Sequence, residues 1–373
     1  MTILEQVAEE RLSYAEAKAR EFLRRHGRAE GVGARHHVVP RFVLRRFASA
    51  AGQVRVRSRV DGAVSTRQVA DMGIRDFFTT ISDTGPDGRI EQLLAVVDAE
   101  MAEILRRWNS SLQPLGEFSE VEAGSLATYL GLQHVRGPRW RREAELMTEW
   151  FVKVQGEGLV PGSNVADLTI ASSFNHHLDA WNRLAAALSA TLFKRPSHLV
   201  TLDRPLLFVG DEPMVVVREG SSVAHLPSCF LSPKQRQRKA RKARQRHAEH
   251  KEIVHFYPTR PAGIADADGV ALVVAPNQFV FVELAGRSDS AGRIHFDAME
   301  SVEAAQELNE VVVQHSYDWI AAAEGTEGFE EFEMPPLDPV MRVCDGGAPT
   351  GRHLNRAPEP RAPQRLWKRR LPA

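Results

Sequence analysis

Cysteine is nearly absent: the 373-residue chain has two, Cys229 and Cys344, far apart and outside any CxxC spacing. That excludes a disulfide scaffold and a cysteine-based zinc knuckle. Net charge is missing too, with 48 basic and 48 acidic residues, so no global field draws the whole molecule to nucleic acid. Long apolar runs are lacking. Segments such as VALVVA at 270–275 fall far short of the roughly 20 residues that span a bilayer. The first 22 residues carry acids throughout and no continuous apolar stretch, unlike a signal peptide. The expectation is a cytoplasmic protein without a membrane partner.

Lysine is scarce, at 8 against 40 arginines. A GC-rich genome produces that skew as readily as guanidinium chemistry does, so no single arginine is informative by itself. Several catalytic templates are also missing. The sequence has no GxGxxG, no Walker GxxxxGK[ST], no HExxH and no GxSxG, each of which would have carried a specific mechanism.

What is present is globular: 43% hydrophobic and 26% charged residues, a composition that sets aside disorder, collagen and a pure coiled coil. Residues 1–33 read as an N-terminal amphipathic helix closed by glycines. VRVRSRV and AVSTRQV alternate about Asp61-Gly62, the pattern of a β-hairpin with a tight turn. Helical periodicity then dominates a lobe over about 90–195, including the face Leu94, Val97, Met101, Ile104 and Trp108. From about 198 to 290 the pattern changes to short apolar runs, HLVTL, LLFV, MVVV, VALVVA and FVFVEL, which are strand candidates. A last helix is expected over about 297–323. The fold class is therefore α+β: an N-terminal hairpin, a central helical lobe, and a C-terminal antiparallel or mixed sheet closed by a returning helix.

Charge is locally segregated. Residues 324–338 hold six acids and no base, and 352–370 hold seven bases and one acid. A further block, Lys234 to Arg246, has eight bases and no acid. The expectation for 324–373 is an acidic then basic tail without fixed structure. Within the block, Arg238, Lys239, Arg241 and Lys242 are candidate phosphate contacts, although a solvated insertion is the simpler reading. No aromatics interleave with these charges, so base stacking is not indicated.

The sharpest local signal is His36-His37-Val38-Val39-Pro40-Arg41-Phe42. Adjacent histidines before a proline resemble the opening of an HNH nuclease. Such a site also needs an asparagine and a second histidine within a few tens of residues. Between His37 and Asn109 the chain has neither, and the nuclease template fails on that count.

Four segments read in series carry a different resemblance: HHVVPRFVLRRF (36–47), IEQLLAVVDAEMAEIL (90–105), LATYLGLQHVRGP (126–138) and LLFVGDEPMVV (206–216). In that order they resemble an uncharacterised family, domain of unknown function 4238, over about 34–323. The resemblance implies a shared fold and a set of focal residues, including Asn309 on the last helix, but no activity. The chain departs from the family pattern in places. Gly210 and Glu212 flank Asp211 where the family has Ser or Thr and Asn, and Gly137 stands for a threonine before Pro138.

The candidate catalytic residues are His36, His37, Glu100, Gln133, Arg136 and Asp211. Two imidazoles and two carboxylates could hold a divalent metal. They could equally form an acid–base set, with Arg41 and Arg136 orienting a phosphate or carboxylate. The scaffold alternative has His36 capping a helix, Glu100 pairing with Arg136, and Asp211-Glu212-Pro213 making a turn. Three readings stay open: a hydrolase or nuclease-like enzyme on a phosphorylated or nucleic-acid substrate, a non-catalytic nucleic-acid-binding protein, and a protein-interaction module. Each keeps nucleic acid, a phosphorylated ligand or a protein as partner. Convergence of His36, Glu100, Arg136 and Asp211 on one cleft would favour the first, and dispersal of the four would set aside an enzyme built on them.

Overall fold

A run buried on both sides marks the middle of the fold. Gly269–Ala275 (GVALVVA) is inaccessible along its whole length, as a strand covered by layers on both faces must be. The computed structural model describes residues 35–76, 89–110, 120–144, 181–217, 254–258, 267–284, 294–299, 302–335, 341–345 and 348–354. The helix expected within 1–33, the block Lys234 to Arg246 and residues 355–373 lie outside the described residues.

In chain order the elements are β1 (Arg35–His37), α1 (Arg41–Phe47), β2 (Gln53–Ser58), β3 (Val64–Gln68), β4 (Ile74–Asp76), α2 (Arg89–Ser110), α3 (Glu120–Arg136) and α4 (Trp181–Phe193). Then come β5 (Ser197–Leu202), β6 (Val209–Gly210), β7 (Met214–Val217), β8 (Val254–Pro258), β9 (Gly269–Ala275), β10 (Gln278–Glu283) and β11 (Ile294–Met299). The chain continues through α5 (Val302–His315), β12 (Trp319–Ala322), β13 (Met341–Asp345) and β14 (Ala348–Leu354). A short helical stretch, 138–144, follows α3 directly. The fold is α+β.

The central sheet has the order β11-β5-β10-β9-β7. Its pairs are antiparallel except β11 with β5, which is parallel. Alternation sends Leu199, Leu272 and Val280 into one core with α2, α3 and α4. Their neighbours Val200, Ala271 and Phe279 enter a second core with α1, β2, β12 and α5. The sheet is sandwiched, and that explains why its strands read as unbroken apolar runs. Among the described residues, no helix is long and apolar enough to cross a membrane.

The expected hairpin is present. Gly62 takes φ +71°, and Asp61 accepts the Ala63 N–H at 3.1 Å, which closes the turn between β2 and β3. The hairpin joins a second sheet of order β3-β2-β12-β6. Val54 and Val56 point inward from β2, so Arg55, Arg57 and Arg59 share the opposite row.

Two expectations change in the C-terminal third. The helix predicted over 297–323 is shorter, 302–315. Residues 294–299 pair instead as β11 with β5, and 319–322 pair as β12 with β2 and β6. Beyond α5, the N–H groups of Tyr317 and Asp318 go to the Asp211 carboxylate, which stops the helical ladder.

The acidic segment is also structured as far as it is described. Phe329 and Phe332 stack edge-on against Phe208, at centroid distances of 5.1 and 5.6 Å. Arg57 donates to the carbonyls of Phe332 at 2.6 Å and Phe329 at 3.3 Å. Arg59 reaches Pro335 O at 3.3 Å, and Arg55 pairs with Glu330. Residues 324–335 are a strap over the arginine row, and β13 and β14 form a third sheet with β8. The arginine row holds the strap mainly through its backbone carbonyls, with one ion pair, Arg55–Glu330.

Candidate functional site

The first polar cluster forms where β1 meets α2 and α3. Tyr129, Gln133 and Arg136 fall at i, i+4 and i+7 on α3, one face of the helix. Arg136 is fully buried. Its Nη1 donates to both Asp98 oxygens, at 2.9 and 2.8 Å, and its Nε donates to the His37 carbonyl at 2.8 Å. His36 is buried beside it, with Nδ1 4.0 Å from Glu91 Oε2. Burial pushes the Asp98 carboxyl up, while the Arg136 guanidinium opposes that rise. Burial alone would lower Arg136, but Asp98 and Glu91 raise it overall. The Tyr129 hydroxyl is pushed well up by burial and then by Asp98.

Neither end of the Gln133 amide, nor the Tyr129 hydroxyl, meets a hydrogen-bonding partner among the described residues. Buried groups left in that state are uncommon, and bound water is the ordinary explanation. Arg136 gives Nη1 to Asp98 and Nε to backbone, and these bonds fix its orientation. This cluster locks β1 to the helical lobe.

The second locus surrounds Asp211, in a cavity that Val38, the residue after His37, helps to line. A cavity of about 320 Å³ is lined by Val38, Ser58, Arg67, Asp71, Arg75, Pro138, Asp211, Asp318 and Trp319 among others. Asp211 is 1% exposed. Its two oxygens accept the N–H groups of Tyr317 and Asp318, each at 2.7 Å. Burial, and then the neighbouring Asp318 charge, raise its carboxyl to about 7, against the pull of those two amides and of Arg75. Asp318 itself is ion-paired with Arg75. Two carboxyl groups thus share one wall in different environments, the arrangement that separates an acid from a base.

The remaining candidates do not join either locus as a set. Glu100 accepts the Ser125 hydroxyl at 2.6 Å and does not pair with Arg136. Residues 98 and 100 are roughly 200° apart around a helix, so only Asp98 can face that guanidinium. Asn309 bonds backbone from both ends of its amide: Oδ1 accepts Phe208 N–H and Nδ2 donates to Leu206 O, both at 2.8 Å. It clamps the chain leading into β6. Arg41 is exposed at the start of α1. Arg238, Lys239, Arg241 and Lys242 lie outside the described residues. Among the described residues, no three His, Cys, Asp or Glu side chains group so as to hold a metal ion. Of the residues considered for a divalent metal, His36, His37, Glu100 and Asp211, the Glu100 carboxylate accepts the Ser125 hydroxyl and the Asp211 carboxylate accepts two backbone N–H groups.

Sequence reading did not single out Asp98, Glu91, Tyr129, Arg75, Arg67 or Asp318. Glu91 and Asp98 at i and i+7, and Tyr129 four residues before Gln133, were visible as same-face spacings. Arg75 and Asp318 are 243 residues apart, and no local pattern links them.

The family described as a protein of unknown function (DUF4238) matches residues 35–326, more than half of the chain. No curated protein and no solved structure matches the chain.

Proposed function

The chain belongs to this family of unknown function, and we propose that it is a hydrolase using acid–base chemistry on a phosphorylated substrate seated in the Asp211 cavity. One observation carries the reading: buried Asp211 and ion-paired Asp318 share a wall of a cavity that also presents Arg67 and Arg75. A carboxyl that titrates near neutrality can hold or release a proton in the working range. In this scheme Asp211 moves that proton. Asp318 is held by its ion pair with Arg75, and Arg67 orients the phosphoryl group. The volume suits a small ligand or the end of a larger one.

The test is turnover of a panel of phosphomonoesters and phosphodiesters by the full chain, with and without added Mg²⁺. Hydrolysis is expected in the wild type, lost in Asp211→Asn and raised in KM for Arg67→Gln. Absence of turnover across the panel, or turnover untouched by both variants, overturns it. A second reading, a non-catalytic binding module, is favoured by the fact that Arg136, Asp211 and Asn309 all bond to backbone groups. Binding of phosphoesters without turnover would select it.

A further inference from the structure

The charges facing the Asp211 cavity come from several elements. Arg67 comes from β3, Asp71 from the turn after it, Arg75 from β4, Asp211 from beyond β6, and Asp318 from the corner between α5 and β12. The nearby Glu212 carboxylate is turned to the start of 138–144, where it accepts the Arg139 N–H at 2.6 Å. Arg75 is neutralised by Asp318. Arg67 is exposed and makes no ion pair with a described residue, so it is the uncommitted cation. A metal cation is disfavoured as occupant, since Asp71, Asp211 and Asp318 do not group as ligands.

An oxyanion therefore has one free guanidinium to meet. It also meets a wall that already carries three carboxyl groups against two guanidinium groups. Like charges at close range in a partly desolvated site are costly. Asp211 is the group able to relieve that repulsion. It is the most buried of the three, and Asp318 already has Arg75.

We propose that the ligand of this cavity is a strongly acidic oxyanion, of the phosphate-ester or sulfate class, and that it enters together with one proton taken up by Asp211. This rests on the reading of the cavity as an anion site and adds to it what the anion must bring. Asp211 already lies near its own midpoint at neutral pH, at about 7, so an arriving anion need only complete the protonation.

The probe is sulfate, whose charge does not change between pH 6 and 9, titrated into the full chain at constant ionic strength. Sulfate is expected to bind at pH 6 and to weaken by up to about tenfold per pH unit above about 7. Calorimetry at pH 8 in two buffers of different ionisation enthalpy should show close to one proton taken up per sulfate bound. Asp211→Asn, which is neutral throughout, should bind sulfate equally at pH 6 and 8.5. If that variant does not fold, the two-buffer measurement on the wild type decides. Sulfate binding that is independent of pH, with no proton uptake, overturns this inference and leaves the anion site standing. No sulfate binding at pH 6 overturns both.

Discussion

The carboxylate of Glu212 occupies the space that a side chain at residue 137 would need. A Cβ built on Gly137 would overlap Glu212 Oε2 and lie 2.6 Å from Oε1. That carboxylate accepts the Arg139 N–H at 2.6 Å, capping the stretch 138–144 from another part of the chain, with Pro138 at its first turn. In this chain the absence of a side chain at 137 and the long carboxylate at 212 therefore depend on each other. Gly210 is a parallel case, since a Cβ there would overlap the Ser316 hydroxyl, which donates to Val312 O at 2.7 Å.

Gly137→Ala should destabilise by about 1–3 kcal/mol, the ordinary cost of overpacking a filled site. Glu212→Ala should lose about 1 kcal/mol of cap. The double variant should be less destabilised than the two single costs added together, because removing the carboxylate makes room for the methyl. Urea denaturation of the four proteins measures the coupling. Simple additivity would mean that the contact does not exist in solution.

Arg136→Met should cost about 3–5 kcal/mol, because it leaves the Asp98 carboxylate beside Glu91 without its guanidinium partner. The effect has a pH sign. The Asp98 carboxyl is already raised by burial and held back by Arg136, so losing Arg136 lets it rise further. A carboxyl raised in the folded state favours folding below its unfolded value and loses that contribution as pH climbs. The variant should therefore recover stability toward pH 5 relative to wild type. Chemical denaturation at pH 5 and pH 8 checks this, and a deficit equal at both would remove Asp98 from the account.

Much of this architecture was legible before the fold. The Asp61-Gly62 hairpin, the helical face of α2 and the buried strands of the central sheet follow from local period and turn chemistry, which a sequence displays directly. Gln133 and Arg136 were also findable, as was Asp211. Their partners were harder. Asp98 was passed over for Glu100, since no sequence rule says which of two nearby acids meets an arginine from another helix. The acidic segment read as a tail because its charge looks solvated in isolation. The row that holds its backbone, Arg55, Arg57 and Arg59, lies roughly 275 residues earlier. The alternation that exposes that row was visible, but the long-range pairing was not.

Arg57→Met should release that strap locally. Arg57 gives charge-assisted hydrogen bonds to the carbonyls of Phe329 and Phe332, worth about 1.5–3 kcal/mol for the pair of acceptors. Arg55→Ala, removing a largely solvent-exposed pair with Glu330, should cost under about 1 kcal/mol. Amide hydrogen exchange over 326–335 should rise in the first variant and stay close to wild type in the second. Equal protection in both would assign the strap's hold to Phe329 and Phe332 alone.

Asp211 gives the sharpest dependence on pH. Its folded carboxyl stands at about 7 against an ordinary 3.8, so between those values the folded state holds a proton that the unfolded chain has lost. The contribution to stability is complete below about pH 4 and declines until about pH 7, by an amount on the order of a few kcal/mol. Other carboxylates titrate over the same range, so the comparison is with Asp211→Asn, which lacks this ionisation and shares the rest. The asparagine also loses one of the two amide contacts to Tyr317 and Asp318, a constant offset of about 1 kcal/mol. The quantity to follow is the difference between the proteins in urea denaturation at pH 4.5, 5.5, 6.5 and 7.5. The wild type should hold its largest advantage at pH 4.5 and lose it steadily, with the variant overtaking near neutrality. Parallel curves would mean that Asp211 stays ionised throughout as a plain turn cap, and acid–base chemistry in this cavity would then lose its proton carrier.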